Sequence, residues 1–327
     1  MADPFENKHI RDIIARNKQI EATLDRASKD LARRFKTVKG KRFAKVLQTE
    51  IKSLRESIKA DITKGATAHW KLANTKNAVL SDGYLRNIPV SESLYKSFRA
   101  PNLNALNSFL NRTEKGMNLS KRVWSLTNEY EKRIQEYLSS GITVGKSATQ
   151  ISKELQRYIK GEGIPYKGVL LKGSNVAWQA YRLTASEINM AYRMSDHLKF
   201  KQLPMVLGVR VNLARAHPRI DICDEFAGDY PKGFQFLGWH PICICYPTPI
   251  LMSKEDFVKF MKTGQIAKRL FVNTIPKNTT TFLKTNASKI AKYKEKPYWI
   301  RDNFTNDLTL YKSISKVKIP KMELVNL

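Results

Sequence analysis

Apolar residues recur at three- and four-residue intervals through the start of the chain. One stripe comprises Ile10, Ile13, Ile14, Ile20, Leu24, Ala27, Leu31 and Phe35; after Lys39-Gly40 a second comprises Phe43, Val46, Leu47, Ile51, Leu54, Ile58 and Ile62. That spacing gives each segment one core-facing side and predicts two long amphipathic helices joined as an antiparallel hairpin. Residues 66–85 read as helical too, anchored by Trp70 and Leu72, whereas 82–119 is broken by Asn, Ser, Pro and Gly into connections and short helices. A helix resumes at Lys121 with Val123, Trp124, Leu126, Tyr130, Ile134, Tyr137 and Leu138, and stops at Ser139-Ser140-Gly141. Ser147 to Gln150 fits a capping box opening a helix through Ile151, Leu155, Tyr158 and Ile159, and residues 174–200 form another.

Beyond Pro204 the period changes. Val206 to Leu213 is apolar and β-branched, as a strand requires, and residues 214–249 are dense in Gly, Pro, Asp and aromatics, as loops and short strands require. Phe257, Phe260, Met261 and Ile266 place one more helix after Ser253. From about Val272 the chain is Lys-rich and poorly periodic, which reads as an arm ordered on a partner. The expected fold is α+β and predominantly helical. It has an N-terminal helical region (1–120), a central module of short strands and His/Cys loops (121–252), and a basic C-terminal helix and arm (253–327).

Charge divides the chain in the same way. The net charge of +29 over 327 residues makes a polyanion the expected partner. Residues 1–160 carry 32 Lys+Arg against 16 Asp+Glu, and residues 251–327 carry 16 against 6, but residues 161–250 carry only 10 against 7. The His/Cys loops are thus nearly neutral between basic flanks, and anion binding is separable from whatever the thiols do. Three cysteines argue against a secreted disulfide framework. The first residues lack an apolar signal region, and no apolar run approaches the ~18 residues of a membrane span. Assembly in a reducing cytoplasm, without a membrane partner, is expected.

The thiols and imidazoles fall in one window: His217, Cys223, His240, Cys243 and Cys245, with Asp221 and Asp224 among them. Zinc takes four N or S ligands, and a loop between two ligand pairs is how small zinc modules are built. Two readings are open. The set holds one structural zinc, or the histidines bond to carboxylates and backbone while the cysteines pack as small apolar groups. A hydrolytic metal on His217, Asp221, Asp224, Glu225 and His240 would be a nuclease-like alternative. Gly-rich phosphate loops, His-Glu-x-x-His and Gly-x-Ser-x-Gly are all missing from the sequence, so no catalytic residue, organic cofactor or small-molecule substrate is assigned. Arg182, Glu187 and Asn189 interrupt the apolar 174–200 helix; they either bond to the His/Cys loops or lie on a solvated face.

Taken in order, these features resemble the phage head morphogenesis family, the Mu F-like minor head proteins. The residues that carry the resemblance are the turn Gly141-Ile-Thr-Val-Gly145-Lys-Ser147, the helix Arg182-Leu-Thr-Ala-Ser-Glu187-Ile-Asn189, the acidic turn His217-Pro-Arg-Ile-Asp221-Ile-Cys223-Asp224 with Gly228 after it, and the closing run His240-Pro241-Ile-Cys243-Ile-Cys245. The match covers about residues 125–250. It departs from the family in having Cys223 alone where a Cys-x-x-Cys is usual, Ile244 where an Arg separates the last cysteines, and Trp239 before His240. The resemblance implies a non-enzymatic minor protein of a tailed-phage or prophage head, found in the virion and in the host cytoplasm during assembly. Its partners would be the portal, procapsid components and double-stranded DNA bound without sequence specificity. A phage toxin or nuclease carrying such a module, and a generic basic DNA-binding protein, are the alternatives.

Overall fold

The computed structural model describes residues 3–37, 41–143, 164–166, 169–171, 176–215, 217 and 220–312, with the isolated positions 150, 153, 154 and 157. The fold is α+β and predominantly helical, as expected, with one small three-stranded antiparallel sheet. In chain order the elements are α1 (Pro4–Thr37), α2 (Lys41–Leu85), α3 (Glu92–Arg99), α4 (Leu103–Leu110), α5 (Leu119–Thr143), β1 (Ile164–Tyr166), β2 (Val169–Leu171), α6 (Val176–Gln202), β3 (Val206–Asn212), α7 (Ile222–Phe226), β4 (Gly228–Pro231), β5 (Tyr246–Leu251) and α8 (Lys254–Thr263). A 3₁₀ turn (Lys268–Leu270), α9 (Lys277–Thr285), α10 (Ala287–Ala291) and α11 (Tyr298–Arg301) follow. No helix among the described residues is long and apolar enough to cross a membrane. The chain forms two compact units, one from the described parts of Met1–Ile10, Ala66–Phe109 and Asn189–Leu327, the other from Arg11–Gly65 and Leu110–Ile188.

In the second of these units the predicted hairpin is present. Ile13, Ile20 and Leu24 of α1 and Leu47, Ile51, Leu54, Ile58 and Ile62 of α2 are buried, while Ile14 is half exposed, so the α1 stripe is narrower than its apolar residues suggest. Arg34 pairs with Glu50 at 3.0 Å across the hairpin. The second stripe and residues 66–85 are one continuous 45-residue helix rather than two. Helix α5 is tied to α2 by Arg55, which donates to Thr127 Oγ1 at 2.7 Å and pairs with Glu131 at 3.0 Å. The half-exposed Trp124 carries that guanidinium over its ring. The residues expected to form a helix from Ser147 lie largely outside the described ones.

The first unit is built on β3, which pairs antiparallel with β4 on one side and β5 on the other. Arg210 and Asp229 face each other across the β3–β4 ladder and form a two-bond pair of 2.6 and 2.8 Å. Val206, Leu207 and Val209 pack with Tyr84, Phe98, Phe257 and Phe260, so the end of α2 and the whole of α8 meet one part of the sheet. Ser253 caps α8, where the sequence places its start.

The opposite cluster corrects one expectation. Residues 272–312 are not an arm awaiting a partner. Leu283, Ile290, Trp299, Ile300 and Phe304 lie in the same core as Val211, Cys223, Phe226, Tyr230, Phe234, Phe236, Trp239, Cys243 and Cys245. Polar contacts fix the register: Tyr230 OH meets Thr279 Oγ1 at 2.8 Å, Gln235 N donates to Asn303 Oδ1 at 2.7 Å, and Asn303 Nδ2 returns a bond to Gln235 O at 2.9 Å.

Burying each such side chain is worth about 1.5–3 kcal/mol, so those five outweigh the smaller part of the usual 5–15 kcal/mol stability of a domain. A chain ending at Pro276 is therefore expected to lose cooperative thermal unfolding and the near-ultraviolet dichroism of its tryptophans; a truncated chain with an unchanged melting curve would show that this segment is dispensable.

Candidate metal centre

The acidic turn is a helix start. Asp221 Oδ1 accepts the Cys223 amide at 2.7 Å and Asp224 Oδ2 accepts the Asp221 amide at 2.8 Å, a reciprocal capping box opening α7. Burial alone would raise the Asp221 carboxyl, but the Cys223 hydrogen bonds and the imidazoles of His240 and His217 outweigh it and hold it below the usual carboxylate range. This turn directs Cys223 into the core. Gly228, at φ 146°, then lets the chain pass Pro276, whose Cγ would lie 2.9 Å from any added Cβ.

The second loop is bent twice. Gly238 has φ 121°, and a Cβ there would meet Arg193 Nη1 at 2.6 Å. Ile242 has φ 61°, a conformation that a β-branched residue adopts only when its surroundings impose it. Around that bend Cys243 N donates to His240 O at 3.2 Å, which brings the last two cysteines back toward Cys223.

The five residues singled out by type do converge, in two sets that share Cys223. Ligand atoms of His217, Asp221, Cys223 and His240 lie within 4.8 Å of one another, and so do those of Cys223, Cys243 and Cys245. Cys223 Sγ is 3.7 Å from Cys243 Sγ and 3.1 Å from His240 Nε2. All three cysteines are free and buried. Two thiolates on one tetrahedral zinc would be about 3.8 Å apart, given Zn–S bonds near 2.3 Å, so the sulfur spacing already suits a metal.

Protonation favours the same chemistry. His240 Nδ1 donates to Pro241 O at 2.8 Å, which leaves the Nε2 lone pair facing Cys223; this is the backbone-carbonyl support that metal-bound imidazoles commonly have. His217 Nε2 is buried without a hydrogen bond, although Asp221 Oδ1 lies 3.3 Å away in poor alignment. Burial opposes ionisation of Cys243, yet hydrogen bonds from Cys223 and Cys245 and the charge of Arg193 hold its thiol well below the ordinary value. The cost falls on Cys223, whose thiol is raised chiefly by its bond to Cys243. Among the three sulfurs, Cys243 is the one most ready to give up its proton. A divalent cation in this position would replace the sulfur-bound protons.

Helix α6 clasps these loops. Asn189 Nδ2 donates to Cys243 O at 3.0 Å. Arg193 donates through Nη1 to Leu237 O at 2.8 Å and through Nη2 to Cys245 O at 2.6 Å and to Cys243 O. Of the three helix residues for which both places were open, Asn189 is therefore at the loops, and the other two are not. Arg182 is exposed, and the Glu187 carboxylate is taken by Arg112 at 3.1 Å and by Arg122. Arg193 holds the position in their place; its only sequence signal was a cation four residues beyond Asn189 on a buried helix. Gly145 and Ser147 lie outside the described residues, and Pro241 contributes its carbonyl on an exposed turn.

Removing this guanidinium takes the donor from Leu237 O and Cys245 O, at about 1–3 kcal/mol apiece, while Cys243 O keeps its bond from Asn189. Urea unfolding of Arg193→Ala should show a loss of at least ~2 kcal/mol, and Gly238→Ala a comparable one. Arg182→Ala should stay within ~0.5 kcal/mol. Equal effects at positions 182 and 193 would contradict the clasp. Comparison of the chain with protein-family models, curated proteins and solved structures found no match.

Proposed function

We propose that this chain is a minor structural protein of a tailed-phage or prophage head. In this reading it joins the portal during procapsid assembly, binds double-stranded DNA without sequence specificity during packaging or ejection, and is not an enzyme. The observation that carries the reading is the burial of its closing motif. Cys243 and Cys245 are 1% and 0% exposed, and their carbonyls are taken up by Asn189 and Arg193. A cysteine nucleophile needs an approach for substrate; this motif is used instead to hold two loops on a helix. The residues that carry the resemblance to Mu F-like proteins thereby have a structural purpose of their own. The basic flanks supply a separate, sequence-independent affinity for phosphate.

Within this module we propose one structural zinc on Cys223, Cys243 and Cys245, with His240 as fourth ligand through Nε2. Bound there, zinc would cross-link α7 to the 240–245 loop and remove the need to share protons among the sulfurs. His217 and Asp221 lie beside Cys223 with His240 and would support the site from outside.

Purified protein is expected to co-sediment with portal or procapsids and to bind duplex DNA, with affinity falling about a thousandfold or more between 50 and 200 mM salt. Failure of both would end the head-protein reading, and cleavage of nucleic acid lost on His240→Ala would replace it with an enzyme. Elemental analysis should find about one zinc per chain, reduced in Cys243→Ser; a metal-free, stably folded protein purified without chelator under reducing conditions would remove the zinc.

A further inference from the structure

Away from the thiols, the unit containing the sheet buries a second polar cluster that no part of the proposed function uses. Lys76 of α2 donates through Nζ to Asp196 Oδ2 of α6 at 2.6 Å and to Glu6 Oε1 of α1. Asn77 Nδ2 donates to the other Asp196 oxygen, Oδ1, at 2.8 Å, and Tyr192 OH donates to Glu6 Oε1 at 3.2 Å. Asp196 and Tyr192 are 0% exposed, Glu6 and Asn77 1%, and Lys76 7%. Glu6 Oε2 is buried with no hydrogen-bond partner.

An ordinary buried ion pair matches one cation to one carboxylate. Here one ammonium lies between two, so with both ionised the cluster carries a net negative charge in a dry interior, which is strongly disfavoured. A proton on one carboxyl relieves it. Burial pushes Asp196 up to about 6 against the opposing pull of Lys76, so it takes up such a proton more readily than an ordinary aspartate. The two Asp196 oxygens are also differentiated. Oδ1, bonded by the Asn77 amide, is placed as a carbonyl oxygen with a donor ready for developing negative charge. Oδ2, beside Lys76 Nζ, is placed as the hydroxyl that can leave. An amine held this close to a carboxyl has the high effective concentration of an intramolecular reaction.

We propose that Lys76 and Asp196 become joined by an intramolecular isopeptide bond, with Glu6 as the proton carrier. Burial disfavours the Lys76 ammonium, but Asp196 and Glu6 more than offset this and hold its pKa well above the ordinary lysine value. Its first proton therefore goes to Glu6 within the cluster and not to solvent. The neutral Nζ attacks Cγ of protonated Asp196, and the new N–C bond forms as negative charge gathers on Oδ1. Glu6 delivers its proton to the departing Oδ2 hydroxyl, the C–O bond breaks, and water leaves. The second Nζ proton passes to Glu6 and stays there. An ammonium, a carboxylic acid and a carboxylate have become an amide, a water and a carboxylic acid, with no oxidant or activating group consumed. The product replaces two buried charges by one neutral amide and ties α2 covalently to α6 across 120 residues.

The mass of the intact, denatured full-length protein reads this bond directly. It should be lighter than the sequence mass by one water. Trypsin should then yield residues 72–86 and 194–199 as one branched peptide, uncut after Lys76. Glu6→Gln, which fills the same space but cannot carry the proton, should retain the parent's circular dichroism and have its full sequence mass. A parent chain at full sequence mass, or a water lost elsewhere with the two tryptic segments separate, would overturn the proposal. A branched peptide from Glu6→Gln would overturn the role given to Glu6.

Discussion

The sheet-bearing unit depends on one buried guanidinium. Arg193 is 2% exposed and discharges its donors on the carbonyls of Leu237, Cys243 and Cys245, with the ring of Phe236 5.2 Å from its charge. A cation in such a place is tolerable only when its donors are satisfied, and carbonyls in irregular loops are tolerable only when something donates to them. Each solves the other's problem. The 232–245 loop has no ladder of its own to satisfy its backbone, so its path is set by the side chains that reach it: Asn303 at Gln235, and Arg193 with Asn189 from Leu237 to Cys245. Gly238 is glycine because the Arg193 side chain passes where a Cβ would be, and Ile242 holds a left-handed conformation because the loop must return to the same cation.

The clasp belongs to a longer polar line on α6. Asn189, Tyr192, Arg193 and Asp196 follow one another at helical spacing and are all buried. Their hydrogen bonds have a fixed direction. Asn189 gives its amide protons to Cys243 O, so its Oδ1 must accept from His9 Nε2 at 2.7 Å. That leaves His9 Nδ1 as an acceptor, and the 2.8 Å contact with His69 Nδ1 is donated by His69. His9 is accordingly neutral; burial, and then the neighbouring His69, hold its pKa well below the usual value. The thiol loop, the N-terminal turn of α1 and the middle of α2 are thus read from a single helix face. Such a network specifies one arrangement of its elements, because any slip leaves several buried groups unpaired.

Much of this was legible in the sequence and some was not, for physical reasons. Long helices announce themselves through repetition, and α1, α2, α5, α6 and α8 do so. The second apolar stripe and the helical residues around Trp70 run on as one helix, because nothing between them removes a backbone donor. The five His and Cys residues could be grouped by type alone, since few other roles concentrate thiols and imidazoles in one window. Their partner on α6 could not. Arg182 and Arg193 sit on the same helix, and only burial, which is set by the fold, separates a solvated cation from a clasp. The failure at 272–312 has another cause. Helices of nine, five and four residues each present one or two apolar side chains, too few to establish a period, yet Leu283, Ile290 and Trp299 together close a core.

Composition overstates the charge this protein can offer a polyanion, because part of it is internal structure. Lys199 donates to Ala100 O at 3.0 Å at the end of α3, and Lys232 to Leu203 O at 2.6 Å just past α6; burial pushes both down to about 8. Lys76, Arg112, Arg122 and Arg193 are likewise committed to buried partners. Most of the described basic residues nonetheless stay outside, including Lys8, Lys18, Lys45, Lys52 and Lys71 on α1 and α2. Lys277, Lys284, Lys289, Lys292 and Lys294 are exposed, and they lie on the same short segments whose apolar side chains cover the cysteines. That stretch is amphipathic without being periodic, aromatic and aliphatic inward and lysine outward. The C-terminal basic flank and the lid of the thiol core are therefore one piece of chain, so these lysines are held in place by the core they cover.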